Sequence, residues 1–505
     1  MMVYVSEQSN LYTDIASLPE ELLAEILTTF VEMEMDLGQG MKKIVFPGER
    51  KTHSWTKISS VCRQWNRIIN HTPGIWSFLD LSWTQEPILR HAKLFKDAPL
   101  HIFWDNNNGV GAAESDFMTD NMARVEDLRV ISRSTNRANR DYMQFLDLWK
   151  TWITVPALHL RLLNMVLWGR GGSHQTISLP NAPHLRHLRL SRCFTKAPFP
   201  SSLHTVHISS DARSLNHNDV VRVLSECPQL KSCVFHITPL ISSTAERNFV
   251  PPFPTHKISL PHLRNMKIGA FSQEILEWIF MHFIPPREAT YRLSYTVPFL
   301  PEVSFFVPEA LKPHASRADS LRASNSGFNF WTEGGLPHSI TAHPGGYSNR
   351  FTLDPIIGLF PNLSQFYMDD YTLDCHSIWM DGLRRIAHLT LLGICGRHNE
   401  LAEILGAFSD PTLCPKLEIL VLRDLGVESD LPDPDAFAER DDTEAEAHLV
   451  KLLKTRDAQN LRIKKLILSR HSYTWANEGN IERWMQHVDA VELMGKPIPE
   501  TTIES

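Results

Sequence analysis

The sequence predicts a mixed α/β chain in which a small N-terminal helical segment is followed by an irregular solenoid of short strands and return helices. Three observations carry this expectation. Apolar residues recur at three- and four-residue spacing between Leu18 and Ile69, a proline-marked tetrapeptide returns five times beyond residue 180, and apolar pairs two residues apart follow each of these corners. At 505 residues the chain exceeds one ordinary core, so repeats are the first thing to seek.

The first helix is announced by Ser17-Leu18-Pro19-Glu20, a capping-box arrangement with proline in the first turn. Behind it Leu22, Leu23, Ile26, Leu27 and Phe30 make one apolar stripe opposite Glu20, Glu21, Glu25 and Thr28. A second amphipathic pattern starts near Trp55 and places Ile58, Val61, Cys62, Trp65, Ile68 and Ile69 on one face, until Thr72-Pro73-Gly74 ends it. Ile75, Trp76, Phe78 and Leu79 then supply bulky groups to close a small helical core.

These residues resemble the F-box. The resemblance runs through Leu18-Pro19-Glu20-Glu21-Leu22-Leu23-Ala24-Glu25-Ile26-Leu27, then Ile58-Ser59-Ser60-Val61-Cys62-Arg63-Gln64-Trp65, then Pro73-Gly74-Ile75-Trp76. It implies that residues 15–80 dock a Skp-type adaptor of a cullin-RING ubiquitin ligase, with Leu18, Pro19, Leu22, Leu23, Ile26, Leu27, Ile58, Val61 and Trp65 as the docking residues. It also implies that the rest of the chain recruits a protein for ubiquitination. One departure is an insert, residues 31–54, where the family has a short turn between its first two helices. The same helices also fit a plain helical subdomain capping the repeats.

Beyond a connecting segment at 81–120, a body spanning 121–496 is expected. Its corners are Ala182-Pro183-His184-Leu185, Cys227-Pro228-Gln229-Leu230, Leu260-Pro261-His262-Leu263, Phe360-Pro361-Asn362-Leu363 and Cys414-Pro415-Lys416-Leu417. Proline there stops a preceding helix and biases its predecessor toward extended backbone. The leucine-rich-repeat template is fullest in Leu185, Leu188, Leu190 and Cys193, with looser copies ending at Ile208, Ile268, Met368, Leu422, Leu468 and Leu493. Helical spacing returns at Val220–Leu224, Ile275–Phe280, Leu401–Phe408 and Leu449–Leu453. Copies are 18 residues apart from Leu185 to Leu203 but 33 from Leu230 to Leu263, so the array is degenerate.

Residues 285–355 are the irregular part, with only Tyr291–Tyr295 and Phe328–Trp331 reading as strands. A mobile acidic loop is expected over Glu428–Glu446, and residues 1–14 and 497–505 are expected as a flexible N-terminus and a tail.

Between the inward-facing pairs, His187, Arg189, Ser191, His207, Asn265, Lys267, Gln365, Tyr367, Asp369 and Arg423 point away from the core and form the candidate face for a protein partner. A merely solvated polar surface is the competing reading. The net charge of −7 provides no basic field for nucleic acid, and no apolar stretch is long enough to span a bilayer. The start of the chain lacks the pattern of a secretory signal, and seven scattered cysteines suit a reducing compartment, so a cytoplasmic or nuclear setting is expected. No phosphate loop, HExxH or GxSxG pattern is present, and Cys395-Gly396-Arg397-His398 and Cys233-Val234-Phe235-His236 each lack the second pair a zinc site needs. The expectation is a non-catalytic protein without cofactor or metal, either a ligase substrate adaptor or an interaction scaffold of leucine-rich-repeat type; a hydrolase is the weaker third reading.

Overall fold

A computed structural model describes residues 18–34, 58–81, 85–95, 97–105, 112–133, 139–168, 175–211, 215–238, 257–297, 302–304, 306–324, 327–344, 350–352, 357–368, 382–396, 398–424, 438–469 and 478–494. Helices and mostly parallel strands alternate, so the chain is mixed α/β. It divides into two units, the first comprising 1–244 with 260–263 and the second 245–259 with 264–505.

Unit 1 opens with helix α1 (Glu20–Glu34), a 3₁₀ turn at 58–60, α2 (Arg63–His71) and α3 (Pro73–Trp76). Glu20 of α1 accepts from the Arg67 guanidinium of α2, and the Trp76 indole donates to the Ile69 carbonyl at 2.7 Å. Ser17 lies outside the described residues, so the expected capping box does too; at the helix start the Leu23 amide donates to Pro19 O at 3.1 Å. The second helix differs from expectation. It starts at Arg63, and Cys62 is its N-cap, the thiol accepting from the Trp65 amide at 3.5 Å. Cys62 is therefore half-buried outside the apolar stripe, while Ile68 and Ile69 fill the core.

The strands begin directly after α3. Residues 81–120, expected as a connecting segment, hold α4 (Gln85–Leu94), β2 (Leu100–Asp105) and α5 (Ala112–Asn121), flanked by β1 (Phe78–Asp80) and β3 (Val125–Arg133). Then follow α6 (Asn139–Trp152), β4 (Leu162–Trp168), β5 (Gln175–Ile177), β6 (His187–Ser191), β7 (Cys193–Thr195), β8 (Thr205–Asp211), α7 (His217–Glu226) and β9 (Ser232–Thr238). β1, β2, β3, β4, β6, β8 and β9 pair in chain order and all parallel, with β5 and β7 as a separate parallel pair. Register lines up Leu79, Ile102, Leu128, Leu163, Leu188, Val206 and Cys233 in one buried row. Two residues on, Trp104, Val130, Met165, Leu190, Ile208 and Phe235 form a second.

Unit 2 contains β10 (Ile258–Ser259), β11 (Asn265–Phe271), α8 (Gln273–Met281), β12 (Phe283–Ile284), β13 (Thr290–Val297), β14 (Glu302–Ser304) and α9 (Lys312–Ala315). Next come β15 (Ser320–Ser324), β16 (Gly327–Trp331), β17 (His338–Pro344), β18 (Arg350–Thr352), β19 (Gln365–Met368), β20 (Leu391–Gly396) and α10 (His398–Ala407). The last elements are β21 (Ile419–Asp424), α11 (Ala438–Ala458), β22 (Ile463–Ser469), α12 (Glu478–Met485) and β23 (Val488–Met494). α11 already includes residues 438–446, so the C-terminal half of the expected acidic loop is helical.

β19, β20, β21, β22 and β23 again pair in chain order and parallel. The irregular stretch breaks that order. β13 pairs with β17, β17 with β16 and β16 with β15 before β15 pairs with β19, and the β15–β16 and β16–β17 pairings are antiparallel. Two glycines permit this meander: Gly334 takes φ +72°, and a Cβ on Gly327 would lie 2.2 Å from the Ile340 carbonyl oxygen.

Each proline-marked corner is a tight turn in which the first residue's carbonyl accepts from the amide of the closing leucine. The distances are 3.2 Å at Leu185 and Leu230, 3.1 Å at Leu263, 3.2 Å at Leu363 and 3.0 Å at Leu417. Leu160, Leu203 and Leu389 close the same turn without proline in its second position. All eight leucines are buried.

Candidate functional site

The first candidate surface is α1. Its apolar residues do not form the single stripe expected; they divide between two faces. Leu23, Leu27 and Val31, four apart, are buried at 1%, 3% and 1% exposure. Leu22, Ile26, Phe30 and Met33 form a neighbouring stripe that stands 47%, 52%, 39% and 70% exposed, and Val61 is 53% exposed. Of the other expected docking residues, Pro19 is exposed and Leu18, Ile58 and Trp65 are half-buried. Four large apolar side chains facing water on one short helix are unusual for a surface with no partner.

The second candidate surface is the strand face opposite the buried rows. In unit 1 the register sets Asp80, Phe103, Arg129, Asn164, Arg189, His207 and Val234 side by side. His187, Arg189, Ser191 and His207, expected there from alternation, occupy β6 and β8 and are all half-buried. Burial lowers the proton affinity of the His187 ring, helped by the neighbouring His204, and burial also lowers that of Arg189. Toward β2 to β4 the face closes, because Phe103, Ile131 and Val166 form a buried apolar cluster. There Arg129 grips Asp127 through Nε and Nη2 at 3.1–3.3 Å. Burial nevertheless raises the Asp127 carboxyl above the ordinary range, the Arg129 charge offsetting only part of it.

In unit 2 one register row carries Lys267, Arg292, Ser339, Asn329, Arg322, Tyr367, Gly393, Val421, Ile467 and Glu492. Lys267 is exposed; Tyr367 and Arg423 are half-buried. Asp369 lies outside the described residues. Tyr367 and Arg423 come together, whereas Arg322, whose charge also acts on Tyr367, escaped sequence reading. Its only sequence signal is the alternation in Ser320-Leu321-Arg322-Ala323-Ser324. The Tyr367 hydroxyl is raised above its ordinary range by burial, against the opposing pull of Arg423 and Arg322.

Burial pushes the Cys227 and Cys414 thiols up to about 12 and Cys193 and Cys233 higher still, so these four stay protonated at neutral pH. Among the described residues no three His, Cys, Asp or Glu side chains group as a metal site, and no helix is long and apolar enough to cross a membrane.

No family model matches this chain, and comparison with curated proteins finds no match.

Proposed function

We propose that the chain is a substrate-recruiting subunit of a Skp-cullin-F-box type ubiquitin ligase. In this reading α1 docks a Skp-type adaptor, and the body, a leucine-rich-repeat-like solenoid, presents its open strand face to a protein substrate, in the cytoplasm or nucleus. The observation that carries the proposal is the second stripe of α1. Leu22, Ile26, Phe30 and Met33 are not used by the chain's own core, and they belong to the segment whose residues resemble the F-box. An amphipathic helix offering such anchors at three- and four-residue spacing suits a hydrophobic groove in a partner.

Co-purification with a Skp-type adaptor tests the assignment. A Leu22→Asp, Ile26→Asp double variant is expected to weaken capture by at least about a hundredfold, as for two lost interface anchors. Its melting temperature should barely move, since both side chains already face water. A folded double variant that keeps full adaptor binding would reject the proposal. The second reading, an interaction scaffold without ligase function, is favoured if no adaptor is captured while a protein still binds the strand face.

A further inference from the structure

We propose that the strand face around Tyr367 and Arg423 in unit 2 is an oxyanion-binding site that takes the acidic side chains of an extended peptide segment of the recruited partner. The inference deepens the reading of this face as the partner surface, and it is independent of adaptor docking. It begins with Gly393. A Cβ there would lie 2.3 Å from Cδ1 of Tyr367, so the tyrosine ring rests on bare backbone of β20, between β19 and β21. On one side of the ring stands Arg322, its direct register partner on β15, and on the other Arg423 of β21. Trp331 stacks on Tyr367 with ring centroids 6.2 Å apart and planes 23° from parallel.

Arg423 is the unsatisfied member of this group. Its Nη2 is shielded from water and, among the described residues, has no hydrogen-bond partner. A guanidinium N–H withdrawn from water and left without an acceptor is rare in a native structure, and a planar donor fork is best satisfied by a carboxylate or phosphate. The aromatic pair offers an apolar rim of the kind enriched at binding hot spots. A peptide suits the geometry better than a nucleic acid, because the cationic groups are few and local while the chain as a whole carries net charge −7. β15 and β21 are three strand spacings apart, roughly 14 Å, which an extended segment covers in about four residues. An extended segment crossing these strands can therefore present one acidic group to Arg423 and a second toward Arg322.

The test uses the full chain and fluorescence anisotropy with labelled peptides carrying, about four residues apart, two glutamates, two glutamines or two phosphoserines. The glutamate peptide is expected to bind about tenfold tighter than the glutamine peptide, and the phosphoserine peptide decides whether phosphate is taken as well as carboxylate. Arg423→Met is expected to abolish the preference for glutamate. Arg423→Lys, which keeps the charge but loses the fork, should retain only part of it, and Gly393→Ala should weaken it by displacing the ring. Circular dichroism checks that each variant is folded. Equal binding of the glutamate and glutamine peptides, a preference undiminished in both Arg423 variants, or tighter binding of a single-stranded RNA of similar length would overturn the proposal. Adaptor capture by Arg423→Met should equal that of the unaltered chain, so failure here and failure of the adaptor reading are separable.

Discussion

Arg456 shows how far a single residue can depart from what its type suggests. It sits on α11 with 0% exposure, and its guanidinium donates to the carbonyls of Leu413 at 3.1 Å and Cys414 at 2.9 Å. Cys414 adopts φ +49°, a conformation few non-glycine residues tolerate, so the arginine clamps the strained corner that launches β21. Arg456→Met would take its donor from the buried Leu413 carbonyl and one of two donors from the Cys414 carbonyl, which still accepts from the Leu417 amide. It is expected to destabilise unit 2 by about 1–3 kcal/mol, read as a lower urea midpoint at unchanged slope. Gly327 is a second such point. Gly327→Ala should disrupt the β16–β17 pairing, because backbone rather than a movable side chain occupies the space. Faster amide exchange at Phe328 and Ile340 than in the unaltered chain would show it.

Among the elements, the meander of β15 to β17 holds a half-buried imidazole, His338, with a pH consequence. His338 stacks on Phe330 at 4.8 Å and Tyr291 at 5.7 Å, and meets His314 edge-on at 5.4 Å. Burial, then repulsion from His314, lowers its pKa to about 4 from the ordinary 6.5. The folded state thus keeps the ring neutral where the unfolded chain would bind a proton. That contribution is whole above pH 6.5 and is lost progressively as pH falls toward 4, a change of about 3 kcal/mol. His338→Phe should flatten the dependence of melting temperature on pH across this window. A slope equal to that of the unaltered chain would assign the acid sensitivity elsewhere. The corner turns, by contrast, were legible without any structure. Proline in the second position and leucine in the fourth mark five of them, but Leu160, Leu203 and Leu389 close the same turn with different residues, so their units lacked that mark. β2, β3 and β4 were missed as well, as they follow no proline-marked corner.

Over the whole molecule, acidic balance and local basic sites have different consequences. With 57 Asp and Glu against 50 Lys and Arg, no extended field favours polyanions. The chain is expected to pass a heparin column at roughly physiological salt, even if the Arg423 site captures a short acidic peptide, since polymer binding needs many cationic contacts. Retention there would point to a basic surface outside those described. What the sequence by itself determined is the mixed α/β class and the phase of strands that follow a leucine-rich template, such as β6 and β21. Inward residues such as Leu188 with Leu190 and Leu420 with Leu422 are set by alternation along one short segment, and such local patterns are readable in one dimension. Tertiary structure alone decided three further things: which stripe of α1 stays in water, the order β13, β17, β16, β15, β19, and the approach of Arg322, Gly393 and Arg423 to Tyr367. Each depends on residues tens of positions apart. Their proximity comes from packing and register, which leave no periodic trace in the chain.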